Sequence, residues 1–177
     1  MKKANLKFII VAILVMTTSI KSYAQIAKAE IIATGLTCSM CSNAINKQLK
    51  SLAEVDSVAT DLNTNTFVVY LKKENKLKPR VLKERVEKAG FFVGSMLVTM
   101  PSSDNLKTDD NKTFSLGGST FVFLYEETKK NDGETKFKIY DKGYITQKEH
   151  KKILKTFSKT ASYSLENEND YHIKIIK

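Results

Sequence analysis

The sequence predicts an α+β protein: a β-α-β-β-α-β unit over residues 25–100, then a second, smaller α+β unit over residues 113–177. Three observations predict it. Between Lys28 and Val98 the apolar residues switch between the two-residue period of strands and the three-to-four-residue period of helices, in that order. Pro79 and Gly90 bracket the second helical stretch as a helix-start and a helix-stop residue. The polar stretch from Pro101 to Lys112 separates two apolar regions and reads as a linker.

The elements follow in order. Lys28 to Thr34 is a short strand through Ile31 and Ile32, and Gly35 to Cys41 is a turn into a helix. Ala44, Ile45, Leu49 and Leu52 form that helix's apolar face, opposite Asn43, Asn46, Lys47 and Lys50. Val55 to Leu62 and Thr66 to Leu71 are strands joined by the tight turn Asn63-Thr64-Asn65. The helix opened by Pro79 buries Val81, Leu82, Val86 and Ala89, and Phe91 to Val98 is the last strand. This is the ferredoxin-like order, one antiparallel sheet with two helices on one face. In the second unit, Ser119 to Tyr125 and Glu134 to Tyr140 are expected as a hairpin turning at Lys129 to Gly133, and Gly117-Gly118 is a bend or bulge. Thr146 and Glu149 form a capping box that starts a helix burying Ile153, Leu154 and Phe157. Ser162 to Leu165 and Tyr171 to Ile176 are two further candidate strands. Phe121, Phe123, Phe137, Tyr140 and Phe157 are its expected core, and a unit of this size is expected to dock on the first.

The start of the chain reads as a signal peptide, residues 1–24. Lys2, Lys3 and Lys7 precede the apolar run Phe8 to Met16, and Ser22-Tyr23-Ala24 has the small-x-small pattern of a cleavage site. The run is shorter than the roughly 20 residues of a spanning helix, so cleavage is favoured over a retained anchor. No cysteine stands at the cleavage point, so no lipoprotein signal is expected. The expected destination is the periplasm, with the extracellular space as the alternative and no stable membrane insertion after cleavage.

Composition narrows the function. The chain has 177 residues, 42% hydrophobic and 27% charged, an ordinary globular mixture. Its net charge is +10, and loss of residues 1–24 with their four lysines and no acid leaves about +6. Those lysines are scattered among acids, as in Lys72-Lys73-Glu74, which reads as a solvated surface rather than a nucleic-acid stripe. Two cysteines supply neither a disulfide scaffold nor an all-cysteine zinc site. The second unit carries no Ser/His/Asp grouping, no phosphate loop and no distinctive carboxylate pair, and no enzyme activity is expected of the chain.

The chemistry lies in Cys38-Ser39-Met40-Cys41, between a strand end and a helix's first turn. Two thiols in such a bend converge, and the helix N-terminus favours their thiolates. A thiolate pair without His or carboxylate suits a soft, low-coordinate ion: Cu(I) first, Ag(I) or Hg(II) next, with Zn(II) short of its four ligands. The same pair supports the alternative function of thiol–disulfide exchange, or a plain disulfide. The sequence has no Trp, and its prolines are Pro79 and Pro101, so the usual Trp-Cys-Gly-Pro-Cys setting of such enzymes is missing. Met40, Met96 and Met100 are candidate thioether ligands, with ordinary packing or exposure the simpler reading. His150 and His172 read as ordinary surface or strand residues.

Gly35-Leu36-Thr37-Cys38-x-x-Cys41 after a strand, with Lys88-Ala89-Gly90-Phe91 about fifty residues later, resembles the heavy-metal-associated domain over residues 28–98. That family includes copper chaperones, the metal-binding domains of P-type metal ATPases and a periplasmic mercury-binding protein. The resemblance implies that Cys38 and Cys41 are the metal ligands, that Gly35 and Thr37 shape the loop and that Phe91 packs beside it. It also implies a metal-transporting or metal-receiving partner with cysteine ligands. Leu36 stands where the family usually has Met, a residue that packs inward, so the loop is expected to stay seated. The expected function is an exported chaperone or scavenger that passes one soft ion on by ligand exchange. The C-terminal unit is expected to dock or position.

Overall fold

The computed structural model describes residues 25–37, 39–101, 113–125, 134–157, 163 and 169–176. The expected signal peptide, residues 1–24, lies outside them, as does most of the expected linker. The elements are β1 (Lys28–Thr34), α1 (Ser39–Lys50), β2 (Val55–Asp61), β3 (Thr66–Leu71), α2 (Pro79–Lys88) and β4 (Phe92–Pro101). They continue as β5 (Thr113–Leu116), β6 (Ser119–Phe123), β7 (Glu134–Ile139), α3 (Gln147–Phe157) and β8 (Asp170–Ile176).

The first six elements have the expected order, and their strands lie as β2-β3-β1-β4, all antiparallel. Alternation sorts each strand onto two faces. Ala29, Ile31 and Ala33 of β1 are buried with their cross-strand partners Phe67, Val69, Met96 and Val98, and the same core takes Ile45 and Leu49 of α1 and Leu82 and Val86 of α2. Local chemistry sets the ends. Pro79 opens α2 where a missing N–H costs no helical bond, with Lys78 as N-cap. Gly90, at φ 89°, closes it: the Gly90 N–H donates to the Glu87 carbonyl and the Phe91 N–H to the Val86 carbonyl, the paired closure of a Schellman motif. In the β2–β3 turn, Asp61 accepts from the Asn63 N–H at 2.9 Å and the Thr64 hydroxyl at 2.8 Å, while Asn65 takes φ 53°.

Beyond β4 the sequence-based expectation needs correcting. The sheet does not stop at β4, which runs on through Pro101 and pairs with β7 from Leu97↔Lys138 to Pro101↔Glu134. The result is one eight-stranded sheet, β2-β3-β1-β4-β7-β8-β6-β5, with a single buried cluster running through both halves. The predicted β6–β7 hairpin is absent: β8 lies between those strands, antiparallel to β7 and parallel to β6. β6 pairs instead with β5, a strand the sequence reading left out, through the Gly117-Gly118 turn, where both glycines have positive φ. Burial explains the choice. Central β8 puts Tyr171 and Ile173 under the aromatics of its neighbours, with Phe121 and Tyr171 rings 5.2 Å apart. Phe114 of β5 stacks on Phe121 at 5.0 Å. Of the expected aromatic core, Phe121 and Phe137 are buried, whereas Phe123, Tyr140 and Phe157 are half-buried. The expected strand at 162–165 lies outside the described residues except for Tyr163, which is helical.

The third helix also differs. The capping geometry is present, with the Glu149 N–H donating to Thr146 Oγ1 at 3.3 Å. Ile153, Leu154 and Phe157 are not fully buried; Leu154 is exposed and the other two are half-buried. α3 packs on the sheet face away from α1 and α2, because Lys138, whose parity is opposite to Phe137 and Ile139, reaches Glu149 at 2.7 Å. That face is polar and aromatic rather than aliphatic: Phe157 meets Tyr125 edge-on at 5.2 Å, and Tyr163 meets His172 at 4.8 Å.

Candidate metal site

Three connections meet at one end of the first four strands: β1 to α1, β2 to β3, and α2 to β4. Cys41 sits in the first turn of α1, half-buried. Cys38 lies outside the described residues, so the structure places only Cys41 of the expected pair. No acidic residue occupies the first turn of α1, so the N-terminal amides and dipole act on the loop without a competing carboxylate.

The loop is seated as its residues imply. Gly35 has φ 89°, a backbone region side chains disfavour, and a Cβ built there would lie 3.9 Å from Phe91 Cδ1. Phe91, delivered by the closure of α2, therefore packs beside the loop as expected. Leu36 is half-buried against the main core, the inward role assigned to it, and Thr37 is exposed. β1 and β4 are tied at this end by Thr34 Oγ1 donating to the Phe92 carbonyl at 3.3 Å. Met40, beside Cys41 in sequence, is 81% exposed, and Phe92 at the start of β4 is 68% exposed, so apolar side chains meet solvent at this end of the sheet.

The other candidates lie elsewhere. Met96 and Met100 are wholly buried in the sheet core, packing residues rather than ligands. His150 is half-buried on α3. His172 is buried on β8, where its Nδ1 and its backbone N–H each lie 2.7 Å from a carboxylate oxygen of Asp141. The sequence reading missed this pair, since the two residues are thirty-one positions apart and meet only through the β7–β8 ladder. Among the described residues no group of three or more His, Cys, Asp or Glu converges, and no helix is long and apolar enough to cross a membrane.

A βαββαβ sheet with a glycine-led cysteine loop at the mouth of its first helix defines a class of metal-binding domain. Residues 30–92 match the family model of the heavy-metal-associated domain, and through this segment the chain belongs to that family. Among solved structures, the yeast copper transporter domain Ccc2a, determined in apo and Cu(I)-loaded states, is 34% identical over 36% of this chain and 86% of its own, with a TM-score of 0.34. The water-soluble region of the P-type ATPase CopA from Bacillus subtilis is 25% identical over 41% of this chain and 47% of its own, with a TM-score of 0.36. The N-terminal domain of ZntA in its apo form is 19% identical over 39% of this chain and 90% of its own, with a TM-score of 0.34. No curated protein matches the chain.

Proposed function

We propose that this protein is an exported carrier of one soft metal ion, Cu(I), held between the thiolates of Cys38 and Cys41 and passed to a partner's cysteines. The observation that carries the reading is the position of Cys41, in the first turn of α1 on a loop braced by Gly35, Leu36 and Phe91, within a heavy-metal-associated domain. Thiolate donors select soft ions, and two of them match the low coordination of Cu(I). Exposed Met40 and Phe92 offer apolar side chains to a partner at this end of the sheet. A partner thiolate then joins before one of the first two leaves, so the ion crosses without being released and no covalent catalysis is required. Export rests on the pattern of residues 1–24.

Mass spectrometry of the reduced protein under non-denaturing conditions tests the reading. One Cu(I) should be retained, and Cys38→Ser or Cys41→Ser should abolish retention. Retention by the double variant would overturn it, as would thiol-dependent insulin reduction without metal retention. Competition of Cu(I), Hg(II) and Zn(II) against chelators of known affinity then ranks the ions. N-terminal sequencing of the exported protein should begin at Gln25.

A further inference from the structure

We propose that a β-bulge at Gly94 positions the metal loop by deciding that Phe91, and not Phe92, stands beside Gly35; its bearing on the ion rests on the metal reading. β1 alternates without interruption, with Ala29, Ile31 and Ala33 all in the core. β4 does not. Met100, Val98 and Met96 enter the core two residues apart, and the next to do so is Val93. The ladder shows where the step is lost. Ile32 pairs with Ser95 and Ala33 with Val93, so Gly94 is the extra residue of a bulge. Unbroken alternation from Met96 would turn Phe92 inward and Val93 and Phe91 outward. With the bulge, Phe91 packs against the core beside Gly35, and Phe92 is left exposed opposite Thr34.

Space, not backbone conformation, makes this position a glycine. Gly94 lies outside the positive-φ region that Gly35 and Gly90 occupy. A Cβ built on it would lie 2.5 Å from Thr34 Cγ2, and Thr34 is the residue that leads into Gly35. Thr34 also ties the two strands through its hydroxyl, which donates to the Phe92 carbonyl. Of its staggered rotamers, one alone turns hydrogen toward residue 94, and that one carries the hydroxyl off the carbonyl. A side chain at 94 therefore displaces either the Thr34 tie or the bulge, next to the loop. The C-terminal half backs the same bend. Ile145 forms an antiparallel bridge with Ser95, and Thr146 Cγ2 lies 3.9 Å from the built Cβ.

The test follows release of Cu(I) from the reduced full chain to an excess of a Cu(I) chelator. Alongside it, the nuclear Overhauser contact between the Phe91 ring and Gly35 is measured in the metal-free chain. Gly94→Ala should release Cu(I) about tenfold faster, the scale of effect of groups just outside a metal's ligands, and weaken that contact. Thr34→Ser removes the methyl and keeps the hydroxyl, so alone it should stay within about twofold of the unaltered chain. Combined with Gly94→Ala, it should restore both readouts, a coupling that separate structural losses would not show. Phe91→Ala should release the ion about tenfold faster and Phe92→Ala no more than about twofold faster, a comparison that still decides if Gly94→Ala does not fold. Overturning results are unchanged release and contact in folded Gly94→Ala, no recovery in the double variant, or equal effects of the two Phe→Ala changes. Failure of the unaltered chain to hold Cu(I) would overturn the metal reading instead, and the Overhauser contact across the same variants would then judge the bulge by itself.

Discussion

Glu30 shows how a single residue on the open sheet face responds to its neighbours. Its carboxylate lies 2.9 Å from Lys136 Nζ and 3.1 Å from Lys28 Nζ. The Lys136 hydrogen bond, with Lys28 assisting, holds its pKa below the ordinary 4.5 against a smaller opposing effect of burial. A lowered carboxylate pKa stabilises the fold above its unfolded value, and that contribution disappears as pH falls through the folded value. Glu30→Gln should therefore cost about 0.5 kcal/mol at neutral pH, because the lysines are partly solvated, and almost nothing well below pH 4.5. Urea midpoints at the two pH values check it; a constant difference would remove the ionic account. At this scale the sequence was most legible around the loop. Gly35, Leu36 and Phe91 take the positions that the family resemblance implies; Gly35 does so through its own positive φ, whereas Phe91 reaches the loop only because β1 and β4 pair. The Asp141–His172 pair was illegible, since its members meet only after two strands pair.

At the scale of elements, α2 joins the two halves. Its N-terminus lacks a side-chain cap from Lys78, and the Arg80 N–H instead donates to the Tyr171 hydroxyl of β8 at 3.3 Å. Tyr144 packs edge-on to Tyr171 at 5.7 Å and donates its own hydroxyl to the same oxygen, while burial raises the Tyr144 pKa far above the usual tyrosine range. Lys78 Nζ adds a bond of 2.9 Å to Asn169 Oδ1. Tyr171→Phe keeps the ring and removes the shared acceptor, so it should cost about 1–2 kcal/mol in denaturant unfolding. Unchanged stability would mean that water serves the α2 N-terminus equally well. The sequence placed the start of α2 at Pro79 and its end at Gly90, because those residues act through their own backbone. It gave no sign of the tyrosine at the helix start, ninety-one residues further along the chain.

For the whole molecule, continuity of the sheet has a thermodynamic consequence. β4 is shared: Met96 and Val98 pack in the first four strands while Val98 pairs with Phe137 of β7. Unfolding either half would expose apolar surface and an unpaired edge of the other. Calorimetry should therefore show one transition, with equal van't Hoff and calorimetric enthalpies. Two separated transitions would mean that the halves are energetically independent despite the ladder. A chain ending after Pro101 should expose β4 as an edge and self-associate.

The sequence alone determined the βαββαβ half, the ends of α2 and the turn at Gly35. Those features depend on hydrophobic period, on the fixed φ of proline and on glycine's access to positive φ, all of which act locally. Tertiary structure decided the order of the last four strands, the insertion of β8 between β6 and β7 and the face on which α3 lies. Strand patterns state which side of a ribbon is apolar but not which ribbon lies beside it. That choice depends on burying Phe114, Phe121, Phe137 and Tyr171 together, a property of the assembled sheet and of no single segment.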